Sequence, residues 1–89
     1  MSSPVEVTLL TQNACGYCDH AKEVLHRVGQ DYPLRLTEID LSSDEGLRLA
    51  ARAGVLFAPG VLLNGEPFSF GRLSERKLRN ALAGRAADG

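Results

Sequence analysis

The sequence predicts a single α/β domain with the element order βαβαββα. Three observations predict this fold. An alternating apolar run, Val5–Leu10, is followed by a stretch with helical spacing; two further helical stretches begin near serine residues; and Asn64-Gly65 lies between two short apolar runs. Alternating apolar residues are typical of strands, apolar residues three and four apart are typical of helices, and Asn-Gly favours a two-residue hairpin turn.

Length and composition limit the class of protein. The chain has 89 residues, 44% of them hydrophobic, and a net charge of −1. These values fit one small globular domain, and the balanced charge gives no reason to expect binding to nucleic acid or to a membrane surface. Because the start lacks a signal-peptide pattern and no apolar run is long enough to span a bilayer, we expect a soluble cytoplasmic protein. We also expect a monomer, with residues 1–84 forming the domain and residues 85–89 a flexible tail.

The first three elements follow from the apolar spacing. Every second residue of Val5–Leu9 is apolar and Leu10 adds a second apolar face, which predicts a central strand covered on both sides. The first helix is expected over Gly16–Val28, with Gly29 as the residue after its C-terminus. The second strand is expected over Leu34–Leu41, and its charged residues place it at an edge of the sheet.

The second helix is predicted from its capping signals. Ser42 and Glu45 have the spacing of a capping box, and Gly54 is the expected end of the helix. The inner face of this helix is expected to consist of Leu47, Ala50 and Ala51.

A hairpin and a third helix complete the domain. The hairpin joins Val61–Leu63 to Pro67–Phe70, and because Pro67 cannot donate a backbone hydrogen bond, the last strand should be the other edge. Ser74 is expected to cap the third helix, with Leu73 and Leu78 in contact across its start. The apolar stripe of this helix consists of Leu78, Ala81 and Leu82.

Both cysteines, Cys15 and Cys18, lie where the first strand gives way to the first helix. The first turn of a helix has amide hydrogens without carbonyl partners and a partial positive charge, and both lower the pKa of a thiol placed there. Cys18 falls beside the apolar stripe of the helix, whereas Cys15 lies at the open end. We therefore assign Cys15 as the exposed attacking thiol and Cys18 as the partly buried resolving thiol. The apolar stripe consists of Tyr17, Ala21, Val24, Leu25 and Val28.

Two other interpretations of the cysteine pair are weaker. A purely structural disulfide would close a very short loop, which stabilises a fold by only about 2 kcal/mol, and cytoplasmic thiols would reduce it. A zinc site within the chain needs two more ligands, but His20 lies nearly opposite Cys18 and His26 is about 12 Å further along the helix. We therefore predict no metal site.

Several residues near the motif have two interpretations each. Asp19 either favours the helix as a first-turn carboxylate or passes a proton to the resolving cysteine. Tyr17 either packs on the apolar stripe or contacts a bound thiol or peptide, while His20 and His26 are expected to be solvated. Four basic residues lie in and just before the third helix: Arg72, Arg76, Lys77 and Arg79. They form either a solvated face or a site that attracts a carboxylate-bearing thiol or an acidic partner.

The chain resembles the glutaredoxin branch of the thioredoxin superfamily over nearly its whole length. The resemblance depends on the Cys-Gly-Tyr-Cys motif of residues 15–18, on Ala58-Pro59 before the third strand, and on Gly71 after the hairpin. The ending Phe-Gly-Arg-Leu-Ser-Glu of residues 70–75 is also similar to the bacterial glutaredoxin-like domain group. The resemblance implies a four-stranded mixed sheet in the order 2-1-3-4 with helices on both faces. It also implies a cis peptide bond at Pro59, against the thiols, where the backbone of Ala58 pairs with a bound cysteinyl substrate.

Three positions differ from the common glutaredoxin pattern. Gly16 stands in the place of a proline, Gln12 in the place of a lysine, and Arg72 in the place of an acidic residue. Because family members use that lysine and that acidic residue to bind glutathione, the reductant is left open. It is glutathione, another low-molecular-weight thiol, or a thioredoxin-reductase-type partner. The candidate substrate-binding residues are Tyr17, Ala58, Pro59, Gly71 and Arg72.

The sequence therefore predicts a thiol-disulfide oxidoreductase of cell redox homeostasis that holds no bound cofactor. A redox-active disulfide forms between Cys15 and Cys18 when the enzyme reduces a protein or low-molecular-weight disulfide, and an external thiol or reductase restores the dithiol. The alternative is an iron–sulfur carrier, in which Cys15 of two chains and two external thiols hold a [2Fe–2S] cluster. A redox-inert binding module with the same fold is a third hypothesis.

Overall fold

The computed structural model describes residues 4–88 and has the predicted element order. The strands are β1 (Val5–Thr11), β2 (Leu34–Asp40), β3 (Gly60–Leu63) and β4 (Glu66–Phe70). The helices are α1 (Gly16–Gly29), α2 (Asp44–Ala53) and α3 (Glu75–Asp88). Helix α3 thus continues into the predicted tail of residues 85–89; the flexibility of that tail stays a prediction, and Gly89 lies outside the described residues. Within residues 4–88, none of the helices has the length and apolar character needed to span a membrane.

The sheet has the predicted order, β2-β1-β3-β4. Strand β1 pairs in parallel with β2 and antiparallel with β3, and β3 pairs antiparallel with β4. Parallel neighbours need a crossover connection, which α1 supplies between β1 and β2. The edge positions of β2 and β4 agree with the charged residues of β2 and with Pro67 in β4.

Two hydrophobic cores lie on opposite faces of the sheet. The larger core joins β1 and β3 to α1 and α3, with Leu9, Val24 and Leu78 among its members. The smaller core joins the other face to α2 and includes Leu10 and Ala50. Because the adjacent residues Leu9 and Leu10 are both 0% exposed, β1 is covered on both sides, as its sequence predicts.

The predicted hairpin turn is confirmed at Asn64 and Gly65. Their φ angles are 51° and 82°, the left-handed values that a type I′ turn requires at both central positions. The side chain of Asn64 also accepts a hydrogen bond from the Glu6 amide at 2.9 Å, and the Asn64 amide donates to the Glu6 carbonyl oxygen at 2.7 Å. The turn is therefore tied to β1 as well as to its own hairpin.

Helix α2 begins one residue later than the sequence suggested. Its N-cap is Ser43, whose hydroxyl accepts the Gly46 amide at 3.0 Å. Ser42 donates its hydroxyl and its amide to the Asp40 carboxylate at 2.7 and 2.8 Å, and these bonds lower the pKa of Asp40. The predicted capping box of Ser42 and Glu45 is therefore wrong, because the Ser42 side chain is used by the end of β2.

The inner face of α2 also differs from the prediction. Leu47 is 56% exposed and Ala51 is exposed, so neither faces the sheet. Gly46 lies against the backbone at the end of β2, since a Cβ atom there would come within 3.0 Å of the Leu41 Cα. This contact sets the rotation of the helix, and residues three, four and seven positions later share the buried side. The inner face consists of Gly46, Leu49, Ala50 and Ala53.

The end of α1 also differs from the prediction that Gly29 follows the helix. Gly29 is the last helical residue, and Gln30 follows as the C-cap with right-handed angles, φ −76° and ψ −24°. The amides of Asp31 and Tyr32 both donate to the Val28 carbonyl oxygen, at 3.0 and 2.9 Å. The chain therefore closes the helix with right-handed turns and does not need a left-handed glycine there.

The start of α3 is as predicted. The Ser74 hydroxyl accepts the Lys77 amide at 3.2 Å. Leu73 and Leu78, on either side of this cap, are both buried in the larger core. The segment between β4 and α3 is thus held in place beside α1.

Candidate redox site

The two cysteines lie at the start of α1 and form a disulfide, with 5.2 Å between their Cα atoms. Cys15 is the N-cap residue, with the extended backbone angles φ −110° and ψ 105°, and its Sγ accepts the Cys18 amide at 3.1 Å. Ala14 precedes it in the left-handed region, with φ 53°, which is uncommon for a residue other than glycine. The local backbone thus holds the sulfur of Cys15 over the first turn of the helix.

The two thiol positions differ in exposure in the predicted sense. Cys18 is 2% exposed and lies on the buried side of α1, whereas Cys15 is only half-buried. A half-buried sulfur at a helix start is open to an incoming disulfide, and a buried sulfur is reached only through its partner. The geometry therefore separates an accessible thiol from a protected one.

Three separate segments meet at the same end of the sheet as the cysteines. Gly60, the first residue of β3, pairs with Leu10 near the end of β1 and with Phe70 at the end of β4. The segments before β3 and after β4 therefore emerge beside the loop that leads to Cys15. The Gly71 amide donates to the Pro59 carbonyl oxygen at 2.8 Å, which joins these two segments.

The peptide bond between Ala58 and Pro59 is cis, as the resemblance implied. Both residues are buried, and the bond comes directly before β3. The predicted roles of these two residues and of Gly71 in binding substrate stay predictions, while their position at the cysteine end of the sheet agrees with those roles.

An apolar surface that the sequence analysis did not single out lies beside Gly71. Leu56 is 79% exposed, and Phe57 and Phe70 are also exposed, with their rings edge to face at 5.1 Å. Gly71 has a φ of 81°, and a Cβ atom there would lie 3.0 Å from the Phe57 ring. The left-handed φ favours glycine at this position, and a Cβ atom would also crowd the Phe57 ring. The sequence feature that could have indicated this surface is the pair Leu56 and Phe57, two large apolar residues in the loop before Pro59.

Tyr17 and Arg72 come together on the other side of the motif. They line a shallow depression of about 500 Å³ together with Gly16 and His20. Tyr17 is 58% exposed, so it is not part of the buried stripe of α1. The interpretation that Tyr17 packs on the apolar stripe is therefore wrong, and its contact with a bound thiol or peptide stays a prediction.

The remaining polar residues of α1 separate into two groups. Asp19 and His26 are exposed, and no hydrogen bond to the side chain of Asp19 ties it to either cysteine among the described residues. His20 is only half-buried, and its Nδ1 is buried without a hydrogen-bond partner in the described part of the chain. The exposure of His26 agrees with the prediction that both histidines are solvated, whereas His20 is solvated only in part.

Metal-binding side chains do not cluster in the region that the structure describes. Residues 4–84, for which side chains are described, contain no group of three or more His, Cys, Asp or Glu side chains placed to hold a metal ion. The iron–sulfur alternative requires ligands from a second chain and from external thiols, so it stays a prediction. Anaerobic reconstitution with iron and sulfide would test it, and a colourless product would contradict it.

Comparison with known proteins agrees with this geometry. The family model described as Glutaredoxin-like domain (DUF836) matches residues 6–83, which contain the four strands apart from Val5 and all of the motif. The chain belongs to this glutaredoxin-like family. A glutaredoxin-like domain has a thioredoxin-type fold, so the cysteine pair at the start of α1 is in the place where that fold carries out redox chemistry.

Relatives of this glutaredoxin-like domain include thioredoxin-type proteins. A protein of Archaeoglobus fulgidus named "Probable Thioredoxin" is 27% identical over 78 residues, which are 88% of this chain and 86% of that protein. A mutant thioredoxin from Halobacterium salinarum superposes with a TM-score of 0.69 at 23% identity, over 92% of this chain and 74% of that chain. An uncharacterised thioredoxin-like protein from Clostridium perfringens gives a TM-score of 0.71 at 14% identity, over 94% and 72% of the two chains. The two structural matches show that the fold is shared.

Proposed function

We propose that this glutaredoxin-like domain is a cytoplasmic dithiol oxidoreductase that reduces protein or low-molecular-weight disulfides. The observation that carries the proposal is the hydrogen bond from the Cys18 amide to the Cys15 sulfur at 3.1 Å, at the first turn of α1. In the reduced protein the same amide and the helix dipole stabilise a thiolate, which lowers the pKa of Cys15. Both cysteines come from one chain, so a monomer contains the whole reactive pair.

The reaction consists of two exchanges. The Cys15 thiolate attacks one sulfur of the substrate disulfide, the substrate S–S bond breaks, and one half leaves as a thiolate that takes up a proton. Cys18 then loses its proton and attacks the Cys15 sulfur, which releases the second half and forms the Cys15–Cys18 disulfide. Two electrons and two protons reach the substrate. An external thiol or a reductase returns two electrons to the protein.

Substitution of each cysteine tests this order of events. We expect Cys15→Ser to lower the rate of disulfide reduction by a factor on the order of 10³ or more, because a serine hydroxyl is not ionised near neutral pH. Cys18→Ser should accumulate a mixed disulfide on Cys15, visible by mass spectrometry as added substrate mass. Asn80→Ala, an exposed substitution on α3, is the control and should keep the parent rate. A Cys15→Ser protein that reduces a model disulfide at the parent rate would overturn the proposal.

The electron donor needs a separate assay. Parallel reactions with glutathione plus glutathione reductase, and with thioredoxin reductase, compare the two classes of donor on the same disulfide. Because Gln12 replaces a lysine that glutaredoxins use for glutathione, we expect the glutathione reaction to be the slower one. A faster reaction with glutathione would show that this contact is not required.

A further inference from the structure

A cleft of about 490 Å³ opens between α1 and the start of α3. Its lining includes His20 on α1 and Arg72, Glu75 and Lys77 on the opposite side. His20 and Arg72 also line the depression beside Tyr17 at the cysteine motif. The two openings share these two residues, so they are neighbouring parts of one surface that runs from the motif toward α3. A volume of several hundred Å³ is the size of a site for a small molecule.

Positive charge in this cleft is not fully compensated. The Glu75 carboxylate accepts hydrogen bonds from Arg27 and Arg79, each at 2.9 Å, and these bonds lower the pKa of Glu75. Its negative charge is therefore already shared by two guanidinium groups. In the part of the chain that the structure describes, neither Arg72 nor Lys77 forms an ion pair with a carboxylate. Two cations thus remain available to a bound anion.

The His20 side chain lines both the cleft and the depression. Its Nδ1 is buried and has no hydrogen-bond partner among the described residues, which is uncommon for a polar atom in a native protein. The unpartnered ring lies beside Arg72, at the junction of the two openings.

We infer that this cleft binds a carboxylate group of a small disulfide substrate, with Arg72 and Lys77 selecting its negative charge. The inference rests on the proposed function and narrows its substrate class. The guanidinium of Arg72 offers the forked pair of donors that a carboxylate accepts, and the Lys77 ammonium adds a second positive charge further along the cleft. A disulfide attacked by Cys15 would then extend past Tyr17, with its charged end between α1 and α3.

A pair of disulfides that differ in charge tests the inference. The neutral substrate is bis(2-hydroxyethyl) disulfide and the anionic one is 3,3′-dithiodipropionate, which has similar bulk near the sulfurs. The measured quantity is the ratio of kcat/KM for the anionic disulfide to kcat/KM for the neutral one. We expect the Arg72→Gln/Lys77→Gln protein to lower this ratio about fivefold relative to the parent, the range of two exposed charge contacts. Raising the salt concentration should lower the parent ratio in the same direction.

Arg76→Gln is the matched control, since Arg76 lies on the same helix, is exposed and lines neither opening. It removes one positive charge, where the double variant removes two, and should leave the ratio within twofold of the parent. An unchanged ratio in the double variant, or an equal fall in the control, would overturn the inference.

A binding measurement keeps the inference separate from the proposed function. The oxidised protein cannot exchange with a disulfide, so 3,3′-dithiodipropionate can be titrated against it and followed by amide shifts in a nitrogen–proton spectrum. Shifts confined to residues 72–77 and to His20, absent in the double variant, support the cleft. If the parent reduces neither disulfide, the proposed function fails while this titration still decides the cleft. Absence of shifts at these residues would overturn the inference even in an active enzyme.

Discussion

The start of α1 and the starts of α2 and α3 use the same geometry with different atoms. In each of these helices of the described chain, the N-cap side chain accepts the amide three residues later. The acceptor is the Cys15 sulfur at 3.1 Å in α1, the Ser43 hydroxyl at 3.0 Å in α2, and the Ser74 hydroxyl at 3.2 Å in α3. Serine is among the preferred N-cap residues, whereas cysteine is not.

The difference shows how one local structure serves two purposes. At α2 and α3 the free amides of the first turn stabilise the helix through a neutral oxygen. At α1 the same amides face a sulfur that gains a negative charge when reduced, so they favour the thiolate. The residue that donates the amide differs as well: it is Cys18 in α1, Gly46 in α2 and Lys77 in α3. Only α1 therefore places a second thiol within reach of the first.

The largest effect on stability is expected at the donor position of α2. A Cβ atom on Gly46 would lie 2.9 Å from the Asp40 carbonyl carbon and 3.0 Å from the Leu41 Cα, and backbone atoms cannot rotate away. We expect Gly46→Ala to lower the free energy of unfolding by about 3 kcal/mol, measured by urea denaturation.

Gly84→Ala is the matched control for that substitution. Gly84 also lies in a helix, and a Cβ atom there meets nothing within 4 Å. Alanine should therefore raise the free energy of unfolding by up to about 1 kcal/mol through its higher helix propensity. Equal effects of the two substitutions would show that the contact with β2 does not set the position of α2.

A single thiol placed at the start of α3 tests whether a helix start is enough to promote ionisation of a thiol, independently of disulfide reduction. In a Cys15→Ser/Cys18→Ser background, Ser74→Cys places the only thiol at the cap of α3. We expect its alkylation by iodoacetamide at pH 7 to be up to about tenfold faster than that of Gly84→Cys, because the first turn lowers the pKa of the thiol. Neither protein should reduce disulfides, since Lys77 stands where the resolving cysteine would be. Equal alkylation rates would mean that the helix start does not activate the Cys15 thiol by itself.

The serine caps should affect stability and leave the chemistry unchanged. We expect Ser43→Ala to lower the free energy of unfolding by about 1 kcal/mol, the usual value of an N-cap side chain. Ser42→Ala, which removes only an exposed contact with Asp40, should cost less than about 0.5 kcal/mol. Urea denaturation of both proteins tests the corrected cap directly. If Ser42→Ala lowered the free energy of unfolding more than Ser43→Ala does, the capping box of Ser42 and Glu45 that the sequence suggested would be correct.

The smallest expected effect is on the pH dependence of stability, and it involves Glu75, the residue after the Ser74 cap of α3. Hydrogen bonds from Arg27 and then Arg79 lower the pKa of Glu75 from its ordinary value of 4.5. A lowered pKa in the folded state gives stability that is present above the unfolded value and is lost as the pH falls from 4.5 through the lowered value. We therefore expect Glu75→Gln to reduce the slope of stability against pH below 4.5. Urea denaturation of the parent and of Glu75→Gln over this pH range tests the prediction, and an equal slope in the two proteins would contradict it.

The elements that the sequence predicted well are those specified by neighbouring residues. The Asn64-Gly65 turn needs two left-handed residues, and few other dipeptides adopt that conformation. The cap at Ser74 and the apolar contact of Leu73 with Leu78 lie within five residues. The cysteine pair behaves in the same way, because its spacing places both sulfurs at one helix start.

The errors occurred where residues outside the element itself decide the outcome. Both Ser42 and Ser43 are suitable caps, and the choice depends on the Asp40 carboxylate, which takes up Ser42. Tyr17 fits the apolar stripe by its spacing, but the structure leaves it exposed next to Arg72. His20 looks like a surface residue in the sequence, whereas its Nδ1 is buried in the structure.

The amino-acid sequence alone determined the order of the elements, the hairpin and the positions of the two thiols at a helix start, because hydrogen bonding and apolar spacing within a few residues specify them. Tertiary structure alone decided which residues surround those thiols. Pairing of Gly60 with Leu10 and Phe70 brings three segments to one end of the sheet, and packing beside α1 places Arg72 and Lys77 next to His20. Leu10 and Gly60 are 50 positions apart, and His20 is 52 positions from Arg72 and 57 from Lys77, so no local preference of the chain encodes these contacts.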